Sequence, residues 1–147
     1  MTRYLIPAFI ESAIHRGKSV AQFLSGFMVG NEPALRYVEL RPGEDGVEVW
    51  VHEVFDDGSE MYADVGEFGA VDGRRGDKPA AVAETIAGAL VIAHEQFGAS
   101  PDRWVNEGMI GDEYLNYLRG KQTPPSSAAE DGLASFIHVL QDRWSLK

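Results

Sequence analysis

The chain has no cysteine. That removes disulfide bridges, thiolate nucleophiles and cysteine-ligated zinc together. It also fits a reducing compartment, so a cytoplasmic location is expected. No apolar run approaches the roughly 18 residues that would read as a membrane-spanning helix. The first ten residues hold Arg3 and a short apolar run, but Pro7 interrupts it and Glu11 ends it. No clean small-residue cleavage site follows, so this start does not read as a signal peptide.

Motifs of chemistry are equally scarce. His94-Glu95 opens like a metalloprotease helix, yet Gln96-Phe97-Gly98 follows and the second histidine is missing. Asp56-Asp57-Gly58-Ser59-Glu60 lacks the spaced ligand ladder of a calcium loop. Gly66-Glu67-Phe68-Gly69 and Gly73-Arg74-Arg75-Gly76 do not have the spacing of a phosphate-binding loop. No serine sits on a nucleophile elbow. His15, His52, His94 and His138 fall on four separate elements, and no two have local metal-ligand spacing. Neither a cofactor nor a metal is expected, and no catalytic residue is assigned.

What the chain does have is charge in one place. Its 147 residues carry a net charge of −10. Residues 39–77 hold twelve acids and three bases, a net of −9, and the rest contributes −1. Such a protein repels phosphate backbones and anionic lipid, so nucleic acid and membranes are poor partners. Length and an apolar content of 44% point to one globular domain over residues 1–147.

Local signals outline an α+β fold. Pro7 suits a first helical position before Ala8–His15. Ser19 and Gln22 have capping-box spacing and predict a second helix through Phe23, Leu24, Phe27 and Met28 to Gly30. Leu35–Arg41, Val47–Phe55 and Ser59–Val65 predict three strands, joined by turns at Gly43–Gly46 and Asp56–Gly58. A helix follows from Asp77 to Phe97, stopped by Gly98. A short helix from Asp112 to Leu118, a linker over residues 121–127 and a C-terminal helix over 128–144 complete the chain. The expected architecture is a three-stranded antiparallel meander packed against a long helix, with additional N- and C-terminal helices.

Alternation sorts the strands into faces. Val38, Leu40, Val47, Val49, Val51, Met61, Ala63 and Val65 form the core face. The second face is predicted to carry three rows: Tyr37–His52–Tyr62, Glu39–Trp50–Asp64 and Arg41–Glu48. Either a helix covers it as a second core layer, or it is exposed for binding, or it lines a small-ligand pocket. On the binding reading the site is Tyr37, Glu39, Glu48, Trp50, His52, Glu60, Tyr62 and Asp64. Aromatic rings give contact area and carboxylates select a basic protein partner. Glu53 stands apart: parity places it on the core face, so it lies at a strand end that reaches solvent, or at a bulge, or it is a buried carboxylate with a raised pKa.

Three functions follow as expectations. The leading one is a small acidic protein-binding module, of the inhibitor or immunity type, that masks a basic partner. A second is a small enzyme or ligand binder with Glu53, His52 and Asp64 near a pocket. A third is a homo-oligomeric scaffold assembled through the C-terminal helix.

Overall fold

The computed structural model describes residues 3–71 and 78–122, with only the backbone at 121–122. The expected linker beyond Gln122, the C-terminal helix over 128–144 and any dimer contact through it lie outside the described residues, as does Asp77. Among the described residues the architecture is α+β, with three helices and a five-stranded antiparallel sheet in the order β4-β3-β2-β1-β5.

Helix α1 spans Pro7–His15, with proline in its first turn. Strand β1, Val20–Val29, replaces the expected second helix. The reason lies in one irregularity. Its pairing with β2 shifts register between Phe23 and Ser25. This bulge turns a spacing of two into three, so Phe23 and Gly26 share a face. The resulting apolar pattern imitates a helical period, although the backbone is extended.

Strands β2, Glu32–Gly43, and β3, Gly46–Phe55, pair in the predicted register: Tyr37 opposite His52, Glu39 opposite Trp50, Arg41 opposite Glu48. The expected third strand at 59–65 does not form. Ser59 and Tyr62 make an isolated bridge, and a 3-10 turn covers Val65–Glu67. Asp56–Gly58 is an anchor rather than a hairpin turn. Asp56 accepts a hydrogen bond from Tyr114, and Asp57 accepts one from the Gly69 amide at 2.9 Å. A side chain at Gly58 would run into Phe68 and the Tyr62 carbonyl. The outer neighbour of β3 is instead β4, Ala81–Ala83, continued by bonds from the Val71 amide to the Glu53 carbonyl and from the Phe55 amide to the Gly69 carbonyl.

Strand β4 occupies residues expected to be helical. Helix α2 therefore starts late, at Ile86, and ends at Phe97. Thr85 caps it by accepting from the Gly88 amide, and Gly98 closes it in the left-handed region. Strand β5, Val105–Asn106, joins the free side of β1. A 3-10 turn at Glu107–Met109 leads into helix α3, Ile110–Gln122, which is longer than expected at both ends.

Both sheet faces are covered, unequally. On the first, α1 and α2 bury Ile10, Ile14, Ala89 and Ala93 against Val20, Val38, Leu40, Val47 and Val49, with Trp104 at the margin. On the second, α3 sets Tyr114 and Leu118 against Leu35, Tyr37 and Val54, with Val65 and Phe68 between. Each fully buried side chain of this size contributes roughly 1.5–3 kcal/mol. The expected core-face residues Val38, Leu40, Val47, Val49 and Val51 are in place. Met61 is not; it is 94% exposed. Glu53 is also no core residue. Its side chain is 40% exposed and lies 2.6 Å from Arg36, directly across the ladder. Among the described residues no helix lies over that end of the first face, so a carboxylate there keeps its water.

Candidate functional site

The helix α3 covers only one end of the second face. Towards the other end a cleft of about 640 Å³ opens. Ala21, Tyr37, Glu39, Arg41 and His52 form its floor. Ala63–Gly66 makes one wall, and Glu107, Gly108, Ile110 and Gly111 make the other. The walls meet where Gly111 passes Ala63; a Cβ at Gly111 would sit 2.8 Å from the Ala63 carbonyl oxygen.

Glu39 is the centre of the floor. It is 4% exposed. Its Oε1 lies 2.9 Å from His52 Nε2, and Arg41 Nε lies 2.9 Å from its Oε2. Burial pushes the Glu39 carboxyl up, but the hydrogen bonds to His52 and Arg41, with the Arg41 charge, outweigh it and hold the group below the usual range. The Arg41 guanidinium is raised above its ordinary value by the Glu39 hydrogen bond, against burial, with the charges of Glu39, Glu107 and Glu48 adding to it.

Around this pair the rings are ordered. Tyr37 stacks on His52 with centroids 4.6 Å apart, and Trp50 lies parallel to the same imidazole at 6.4 Å. Arg41 sits over the Trp50 ring, 4.2 Å from its centroid. Trp50 Nε1–H donates to Glu48 at 2.9 Å. Alternation on β2 and β3 brings all six side chains to one face, so the sheet itself aligns the group.

The predicted residues divide into three sets. Tyr37, Glu39, Glu48, Trp50 and His52 form one cluster. Asp64 is exposed and lines the cleft wall, although it does not sit across from Trp50. Tyr62 and Glu60 are elsewhere: Tyr62 packs on Phe68 at 5.5 Å, and Glu60 pairs with Arg119 at 3.1 Å. Tyr37 is 7% exposed and belongs equally to the α3 core.

Two participants were missed as site residues. Arg41 falls in the predicted rows, but only the structure shows it pairing with Glu39. Glu107 reaches the cleft through the edge pairing of β5, which two residues of sequence do not announce. Its signal was the irregular, glycine-bearing stretch Glu107–Gly111.

Among the described residues, no group of three or more His, Asp or Glu side chains is placed to hold a metal ion. No helix among them is long and apolar enough to cross a membrane. In comparisons with known proteins, no family model, no curated protein sequence and no solved structure matches the chain.

Proposed function

We propose that this protein is an acidic binding module whose cleft receives a basic segment of a protein partner. The observation that carries this reading is the imbalance of charge around the cleft. Glu39, Glu48, Asp64 and Glu107 surround one guanidinium, Arg41, and one imidazole, His52. Glu39 is already matched inside the fold. Asp64 and Glu107 are exposed on the two walls, and neither is in a salt bridge among the described residues. A lysine or arginine entering between them would recover the repulsion that these acids carry in the free protein. The edge of the floor, Trp50 with Arg41 stacked on it, offers a flat anchor. By fold-level analogy this is how an inhibitor or immunity-type factor masks a positive surface.

The test is kinetic. Basic partners captured on the immobilised protein are purified and their association followed across salt. Association should be fast at low salt and slow markedly near 0.5 M, where the screening length falls to roughly 4 Å. Asp64→Lys and Glu107→Lys should lower the on-rate, and Trp50→Ala should raise the off-rate. An acidic partner, or binding indifferent to salt and to all three substitutions, overturns the reading.

A second reading has one observation in its favour. A histidine fixed by a buried carboxylate, in a cleft, has the geometry of an oriented proton-transfer group. His52 and Asp64 remain in that reading; Glu53, on the opposite face, does not. A small-molecule turnover lost in His52→Ala, with folding intact, would support it over the binding module.

A further inference from the structure

Among the described residues, strand β1 has an open outer edge. It pairs with β5 only at Val20 and Ala21. Among the described residues, no strand pairs with the outer side of Ser25–Val29. Open edges are ordinarily guarded by charge, lysine, proline or brevity. The opposite edge of the sheet shows such guards: β4 is three residues long and is flanked by Lys78, Pro79 and Glu84. The β1 edge has none. Residues 19–31 contain no Asp, Glu, Lys or Arg, in a chain that is 24% charged. The bulge at Leu24 interrupts the strand before this stretch, not within it. Ser25 and Met28 are exposed, Met28 at 60%.

We propose that this edge is where a second copy of the chain docks, strand β1 pairing antiparallel with the partner's β1 about a two-fold axis at Phe27. Unpaired backbone groups along an edge are a ready template for another strand. The lack of charge suits the same surface on a second molecule, because a two-fold interface sets one patch against a copy of itself. Pairing about Phe27 sets it against the partner's Phe27, an aromatic cross-strand pair. It sets Gly26 against the partner's Met28, and Ser25 against the partner's Val29. Phe27 is already backed by Arg36, whose guanidinium lies 4.9 Å from its ring centroid.

The net charge of −10 opposes such a dimer, but distance weakens the repulsion between the β3 strands. In the sheet order, β2 separates β3 from β1. Two copies joined through β1 hold their β3 strands about 24 Å apart, at about 4.8 Å per strand. That is well beyond the screening length of about 8 Å at physiological salt. The pairing at Ser25–Val29 uses none of the residues that line the cleft, whose nearest member on β1 is Ala21.

The experiment uses the full chain, sedimented from micromolar to submillimolar concentration, with Ser25→Lys and Met28→Lys beside it. The wild type should sediment as a dimer that dissociates on dilution. Each variant should weaken dimerisation by roughly tenfold or more while keeping the wild-type thermal transition. Amide exchange at Gly26 and Met28, whose backbone groups face away from β2, should slow as concentration rises. A monomer at every concentration overturns the proposal. So does a dimer untouched by both substitutions, which places the interface elsewhere. Slow exchange at Gly26 and Met28 that ignores concentration also overturns it, since the chain would then cover its own edge.

Discussion

Glu39 and His52 meet on the diagonal of the β2–β3 ladder, with 2.9 Å between Oε1 and Nε2. Glu39 sits across from Trp50, not from His52. The contact therefore depends on side chains leaning along the strand, and Arg41 fixes the second carboxylate oxygen from two residues away. The carboxyl is held below its ordinary value of 4.5. A lowered carboxylate contributes stability that is present above its unfolded value and lost as pH falls through the folded one. Thermal melts from neutral to acid pH should show the loss beginning below pH 4.5. Glu39→Gln should flatten that part of the profile.

At neutral pH the same substitution should be costly. Glu39→Gln leaves Arg41 and His52 without their carboxylate in a half-buried floor. A loss of roughly 2–4 kcal/mol is expected from urea midpoints at unchanged slope. The double variant Glu39→Gln, His52→Phe should recover part of it, since the two sites act as a pair.

Tyr114 is fully buried and its hydroxyl donates to Asp56. Burial first, then the bond to Asp56, pushes the phenol far above its usual value. Tyr114→Phe leaves the Asp56 carboxylate without this donor and should cost about 1.5–3 kcal/mol. The ordering of 56–69 should loosen with it, seen as faster exchange at the Gly69 amide.

Glu113 ties the N-terminal segment to α3. Its side chain is 2% exposed, with Arg3 Nε at 2.6 Å and the Tyr4 hydroxyl at 3.0 Å. Glu113→Gln should cost about 2–3 kcal/mol, less than a fully buried pair because Arg3 is partly solvated. The Leu5 amide, bonded to the Trp104 carbonyl at 2.7 Å, should exchange faster in the variant.

Gly46 admits no side chain. Its φ is +143°, and a Cβ would collide with the Ala83 carbonyl. Gly46→Ala should detach β4 from β3 and cost roughly 2–3 kcal/mol. Loss of the β3–β4 amide protection, with β2–β3 protection kept, is the expected exchange pattern.

The β2–β3 hairpin was legible in the sequence because two signals agreed there. Alternation gave the faces, and Pro42-Gly43-Glu44-Asp45-Gly46 gave the turn, so Tyr37–His52 and Arg41–Glu48 followed. Two of the errors of strand assignment have a plain physical source. In β1, a single bulge at Leu24 gave an extended segment the apolar spacing of a helix. In 59–65, a turn tripeptide and alternating residues were present, but Gly58, Asp56 and Asp57 answer to Phe68, Tyr114 and Gly69, all distant in sequence. Such tertiary demands are invisible locally. The same holds for the site. Its aromatic and acidic members lie on one hairpin and were readable as a set. The walls come from residues 63–66 and 107–111, which only the folded chain brings together.

Strands β1, β2 and β3 are consecutive in the chain and adjacent in the sheet, joined by two-residue turns at Gly30-Asn31 and Glu44-Asp45. Short turns cost little closure entropy, so this meander can form early. What covers it is made late. During synthesis Phe55 leaves the ribosome well before Ile86 and Tyr114, the residues that bring α2 and α3. The nascent sheet is then backed on one face by α1 alone and bare on the other. Its uncharged β1 edge is exposed throughout that interval. The order of the elements along the chain thus makes the middle of synthesis the moment at which this protein is most open to mispairing.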